Sequence, residues 1–255
     1  MLKEVYYVIS ALLLTVSLSA CKKAHGNSEI DFNKITVNKS VSLDNGNESP
    51  KCEVSLNILQ AANATDIIGQ KINNAIVKKI FDMEDIGVQE AADSFANLYT
   101  SEYIKNMTPL YRVDRSDSNK HPWYEYRYTV STETKNDASN ITNYLITLDY
   151  YEGGAHGIVQ RLTLNFDDKT GLPLTLQDIY GKDYEPRIIE QLLQALMKKT
   201  GCKDIQQLRQ QGYLYSMDMY VPENYIIGDN SITFIFNPYE IAPYSEGCIE
   251  LIIER

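Results

Sequence analysis

His156 is the residue whose type and setting come closest to chemistry. It stands between glycines in Tyr150-Tyr151-Glu152-Gly153-Gly154-Ala155-His156-Gly157. An imidazole can shuttle a proton or activate a nucleophile near neutral pH, provided a carboxylate or hydroxyl lies within hydrogen-bond reach. Glu152 and Asp149 are the acids nearest in sequence, so a hydrolase built on His156 with one of them is an alternative reading. No second partner stands at a recognisable spacing, and the chain lacks G-x-S-x-G, a phosphate-cradling glycine loop and H-E-x-x-H. The same histidine can instead bond its own backbone or touch a ligand without reacting. The expectation is recognition or turn structure: not an enzyme, with no catalytic residue and no cofactor.

Metal chemistry is equally unsupported by spacing. His25 and His121 form no cluster with His156, and no two cysteines share a zinc-type interval, so no metal site is expected. Tyrosine is the compositional oddity, with 19 Tyr against 6 Phe. A ring with a polar tip suits half-buried sheet faces and contact surfaces alike. Tyr124, Tyr126 and Tyr128 alternate along one predicted strand and read as the wet edge of a core. Tyr150, Tyr151, Tyr239 and Tyr244 lie on or beside glycine-rich loops. With Gly153, Gly154 and His156 they are the candidate ligand-binding residues.

The elements that must position these residues follow from periodicity. Tyr144, Ile146, Leu148 and Tyr150 alternate with Leu145, Thr147 and Asp149. After the glycines, Ile158, Leu162, Leu164 and Phe166 return on one face, a β-hairpin pattern. Upstream, Cys52, Val54, Leu56 and Ile58 predict a strand. Thr65 or Asp66 caps a helix carrying Ile68, Ile72, Ile76 and Ile80, and a second helix runs from Val88 to Met107, ended by Pro109. A strand is expected over Trp123–Thr132 and a turn over Asn136–Asn140. Leu174-Thr175-Leu176 reads as extended, and Asp183 as the cap of a helix that Gly201 stops, followed by a short helix from Asp204. Strands then close the chain around the extended loop Asn237–Gly247. Strands first, then helices, then strands again predict an α+β fold: a mostly antiparallel sheet packed against three to four helices.

Lys3, the apolar run Val5–Leu18 and the tetrad Leu18-Ser19-Ala20-Cys21 read as a secretory signal, not a spanning helix. Cys21 after Leu-Ser-Ala resembles a bacterial lipobox, which implies acylation of Cys21. The expected divisions are a lipoprotein signal peptide at 1–20, a flexible tether at 21–50, an N-terminal companion subdomain at 51–136 and a C-terminal domain at 137–255. Removing 20 of 255 residues leaves 235, and the lost segment holds one Lys and one Glu, so the net charge stays −10. That balance argues against nucleic acid, keeps the chain soluble and favours a basic partner. Cys52, Cys202 and Cys248 remain, enough for one disulfide whose pairing spacing does not reveal.

The Tyr150–Gly157 stretch resembles the Y-x-G-G-A-H signature of an envelope domain. That domain forms the C-terminal part of lysozyme-sensing anti-sigma factors and accompanies some peptidoglycan deacetylases, the PdaC/RsiV-like families. The run Asn165-Phe166-Asp167-Asp168-Lys169-Thr170-Gly171 through Asp178 is similar to the same domain, as is Phe236 to Gly247, so the likeness covers about 140–253. The strand and helices from Cys52 to Met107 resemble its smaller companion. A deacetylase's metal-dependent domain and an anti-sigma factor's spanning helix have no counterpart in this sequence, so neither activity carries over. The resemblance implies a non-catalytic, lipid-anchored envelope binding protein. Its partners are the bilayer through Cys21 and a lysozyme-like basic protein or a peptidoglycan fragment. Its expected place is the outer membrane of a Gram-negative cell, facing periplasm or surface. A purely structural lipoprotein is the blandest alternative.

Overall fold

The computed structural model describes residues 30–46, 48–63 and 65–255. The signal segment 1–20 and the Cys21 acylation site lie outside the described residues. Two sheets organise the rest. The larger runs in the order β1 (Phe32–Ser42), β2 (Lys51–Ala61), β3 (Tyr126–Ala138), β4 (Ile141–Glu152), β5 (Ile158–Asp167). Every neighbouring pair is antiparallel except β2–β3, which is parallel. A parallel pair needs a long crossover, supplied here by α1 (Ile67–Phe81) and α2 (Val88–Asp114). The smaller sheet is a meander of β6 (Asn224–Ile227), β7 (Ser231–Phe236) and β8 (Ile249–Glu254). It follows α3 (Leu176–Tyr180), α4 (Glu185–Thr200) and α5 (Ile205–Gln210). The predicted α+β class with a mostly antiparallel sheet is what the chain adopts.

Each sheet has its own core. Leu56, Ile58, Ile146 and Phe166 meet Ile72 and Ile76 of α1 and the alanines Ala91 and Ala92 of α2. In the second core, Ile188, Leu192 and Leu196 of α4 pack on Ile232, Phe234 and Phe236 of β7. Local chemistry set several ends, those at Asp66 and Gly201 as the sequence predicts. Asp66 accepts from Gly69 N–H at the start of α1, Asp204 accepts from Gln207 N–H at α5, and Gly201 closes α4 in the left-handed conformation.

Other expectations need correcting. Residues 32–42 of the expected tether 21–50 form β1, because Ile35 and Val37 are buried against Ile58 and Leu56 across the pair. The helix does not stop before Pro109: α2 runs on to Asp114. Tyr111 is buried there, with its ring edge-on to Tyr124, and that packing outweighs the hydrogen bond a proline forfeits. Trp123 and Tyr124 belong to a 3₁₀ turn (Ser118–Tyr124), held by Tyr103 Oη donating to Tyr124 O at 2.8 Å and Tyr124 Oη to Asp114 at 2.8 Å. Leu176 is helical, because Thr175 and Asp178 form a reciprocal capping box. Tyr184, not Asp183, precedes α4; Asp183 is itself left-handed, at φ 59°.

The expected boundary at 136/137 falls inside β3 and would part it from β4, with which it shares a long register from Tyr126↔Glu152 to Lys135↔Asn143. The hydrogen-bonded sheets divide the chain after Asp167 instead. Cys52, Cys202 and Cys248 are free, and Cys52 and Cys202 lie in different cores.

Candidate functional site

The two sheets are joined by amide side chains that imitate backbone. Asn143, fully buried on β4, donates through Nδ2 to Ile227 O and accepts from Ile227 N–H, both at 3.0 Å. Asn165 Nδ2 donates to Tyr225 O at 3.0 Å, and Tyr225 N–H donates to Thr163 Oγ1 at 2.8 Å. In the other direction, Thr163 N–H donates to Asn224 Oδ1 at 3.1 Å. Arg161 N–H donates to Asn237 Oδ1 at 2.6 Å and Arg161 O accepts from Asn237 Nδ2 at 3.1 Å. Each sheet thus ends on side chains from the other, satisfying backbone groups that a free edge would expose. The seam fixes Asn237, and with it the loop that follows, against the β4–β5 hairpin.

That loop and the hairpin tip meet. The His156 and Tyr244 rings stack with centroids 4.0 Å apart and planes 18° from parallel. Tyr239 Oη lies 3.3 Å from His156 Nε2, Tyr244 Oη donates to Gly157 O at 2.7 Å, and His156 Nδ1 lies 3.1 Å from Gly157 O. His156 is exposed, and Tyr239 keeps 61% of its surface in solvent. Tyr239 also sits at φ 71°, a left-handed backbone that aromatic residues rarely adopt. Such strain gathers where surrounding contacts hold a side chain for use. The turn around it is closed by Glu240 N–H to Asn237 O at 3.0 Å and Asn237 N–H to Glu240 Oε2 at 2.9 Å.

The hairpin tip depends on its glycines. At Gly153 (φ +79°), a Cβ would lie 2.4 Å from Trp123 O. Tyr151 Oη bridges to Gly154 O at 2.9 Å and Pro122 O at 3.3 Å, tying the tip to the 3₁₀ turn. Trp123 there is 60% exposed, an aromatic surface the sequence reading passed over.

Of the expected contact residues, Tyr151, Gly153, Gly154, His156, Tyr239 and Tyr244 lie in or beside this assembly. Tyr150 does not: it stacks on Tyr128 at 5.7 Å, in a run of rings continuing to Phe95 and Tyr99 of α2. The acids named beside His156 are engaged elsewhere. Glu152 accepts from Tyr99 Oη at 2.8 Å, and Asp149 pairs with Arg127 at 3.1 Å. Burial, and after it the Glu152 carboxylate, pushes the Tyr99 hydroxyl far above its usual range. Among the described residues no group of three or more His, Cys, Asp or Glu is placed to hold a metal ion. No described helix is long and apolar enough to cross a membrane.

Comparison with known proteins agrees with this architecture. Residues 177–255 match the family model described as "Protein of unknown function (DUF3298)". This is the domain family the sequence motifs resemble. The DUF3298 match covers the second unit, from α3 to the end of β8, and is narrower than the 140–253 likeness read from motifs. Among solved structures, a DUF3298 family member from Bacteroides fragilis is similar at 27% identity and TM-score 0.79, over 88% of this chain and 90% of that one. A DUF3298 family protein from Pseudomonas aeruginosa shares the fold at 14% identity and TM-score 0.59, over 89% of this chain and 93% of that one. No curated protein matches. The seam asparagines were missed in the sequence because Asn143 and Asn165 fall on the side of their strands opposite the apolar positions, where polar residues are ordinary; the one signal is that Asn is depleted in strands.

Proposed function

We propose that this is a non-catalytic cell-envelope protein, tethered through acylated Cys21, whose histidine–tyrosine face docks a basic protein of the lysozyme kind or a peptidoglycan fragment. One observation supports the docking face above others. His156 on the hairpin and Tyr239 and Tyr244 on the distant loop interlock, yet leave imidazole and phenol surface open to solvent. Rigid aromatics with polar tips supply contact area at little entropic cost. Glu152, Glu240 and Glu246 lie on the same two segments, and a chain of net charge −10 steers basic partners inward.

Calorimetry of the purified protein against lysozyme and against soluble muropeptides tests this. Saturable binding of lysozyme that weakens as salt is raised supports the basic-partner reading, and salt-insensitive muropeptide binding supports the fragment. Silence with both, at low salt, refutes the docking proposal. For the anchor, metabolic labelling with a fatty acid should mark the wild-type chain and not Cys21→Ser. Equal labelling of the two would refute it.

A further inference from the structure

At the end of β7 remote from Tyr239, α3 and the first turn of α4 face the second sheet across a cavity of about 910 Å³. Ile179, Tyr180 and Arg187 line it from the helices. Asp229, Ser231, Ile252, Glu254 and Arg255 line it from the strand side. Among the described residues, neither Arg187 nor Arg255 takes part in an ion pair. Arg187 lies over the Tyr180 ring, its Cζ 5.1 Å from the centroid, and Arg255 Nη1 donates to Gly228 O at 3.4 Å. The Tyr180 hydroxyl is shut off from solvent and makes no hydrogen bond among the described residues. A buried phenol left without an acceptor costs stability and calls for an account. Burial raises that hydroxyl above its usual range, and the nearby charges of Arg187 and Arg255 pull it partway back. Both guanidiniums therefore stand close to it.

The charges divide between the two walls. The helix wall offers a guanidinium and a phenol, donors with no acid among them. The strand wall sets Asp229 and Glu254 against the single cation Arg255. Asp229 spends one carboxylate oxygen on Ser139 N–H at 3.0 Å, and Glu254 makes no side-chain hydrogen bond or ion pair among the described residues. Ile179 and Ile252, the latter 64% exposed, add apolar surface. An anion alone would meet two acids here, and a cation alone two guanidiniums. A guest with one group of each sign and an apolar body leaves neither set unmatched. The volume is that of sites enclosing a whole small molecule.

We propose that this cavity binds a short apolar peptide with both ends free, its carboxylate held by Arg187, Arg255 and the Tyr180 hydroxyl and its ammonium by Glu254 and Asp229. A carboxylate that draws Arg187 off the ring opens the hydroxyl and supplies the acceptor it lacks. Guanidinium suits the task, since it meets a carboxylate with two parallel N–H bonds. The site depends neither on the aromatic face nor on the partner proposed for it. Titration calorimetry of the purified protein with the tripeptide alanyl-leucyl-alanine, its C-terminal amide and its N-acetyl form tests the proposal. The free tripeptide should saturate one site, and each blocked form should bind roughly tenfold more weakly or worse, the loss of one hydrogen-bonded charge. Arg187→Gln should shrink the preference for acid over amide and leave the preference for free over acetylated amine, while Glu254→Gln should do the reverse. Both side chains are exposed, so the variants keep the fold, which circular dichroism checks. The proposal is overturned if the free tripeptide does not saturate, if either blocked form binds as tightly as the free one, or if Arg187→Gln keeps the wild-type preference for acid over amide.

Discussion

Replacing Asn143 by Ala asks how firmly the seam holds the two sheets. The Asn143 amide supplies both partners of Ile227, whose N–H and C=O it meets at 3.0 Å each, and both residues are wholly buried. Alanine leaves a buried donor and a buried acceptor unpaired, with no room for solvent to replace the amide unless the sheets separate. Each orphaned group costs about 1–3 kcal/mol, so the variant should lose about 2–4 kcal/mol after partial relaxation. Against a total of about 5–15 kcal/mol that is a large share. It corresponds to a fall in melting temperature of about 5–15 °C for a chain of this size. Urea unfolding followed by circular dichroism measures it, with Asn38→Ala, on an exposed position of β1, as the control expected within about 0.5 kcal/mol of wild type. Asn143→Asp should be at least as damaging at neutral pH, because a carboxylate would face Ile227 O. If Asn143→Ala costs no more than Asn38→Ala, the seam is not what orders the two sheets.

Three further outcomes follow from particular residues. Tyr239→Gly should be more stable than Tyr239→Ala by about 0.5–1 kcal/mol, since both lose the ring and its contacts while only glycine relieves the left-handed backbone; thermal melts that rank the two the other way would disprove the strain. Burial pushes the Tyr144, Tyr103 and Tyr99 hydroxyls far up and Tyr225 to about 12. With folded values above the unfolded one near 10, the stability they lend is complete below about pH 10 and drains away as pH climbs toward the folded values. Denaturant midpoints should hold level to about pH 9 and then fall, and a midpoint that rises through that window would contradict the burial. Finally, Cys52 is fully buried with its thiol pushed up to about 12, while Cys248 is partly exposed and its thiol is raised less. Iodoacetamide followed by peptide mass spectrometry should label Cys248 in the native protein and leave Cys52 unlabelled until denaturant is added.

Legibility in the sequence tracked how local the cause was. Asp66 and Gly201 act within one turn of chain and serve as predicted, and Asp204, read as the first residue of its helix, is the cap just before it. The β4–β5 hairpin follows from alternation and glycine, and His156 and Tyr244 were grouped as contact residues by their loop settings, while their stacking is seen only in the fold. What stayed hidden was set across the fold. The burial of Tyr111 carries α2 past Pro109, and pairing with β2 turns polar residues 32–42 into a strand. The subdomain boundary was misplaced for the same reason, since nothing in Asn136–Asn140 reveals that β3 and β4 share one sheet. Tyr150 could have been set apart from Tyr151: it shares the parity of Tyr144, Ile146 and Leu148, and that parity sends it toward α2 and away from the tip.

The claim on which the functional reading turns is that two distant segments act as one docking face. A double-mutant cycle tests it directly: calorimetric affinity of lysozyme for wild type, His156→Ala, Tyr239→Ala and the double variant. If hairpin and loop engage the partner together, the two single losses should couple by about 0.5 kcal/mol or more. Losses that simply add, or variants that bind as wild type does, would contradict a shared face.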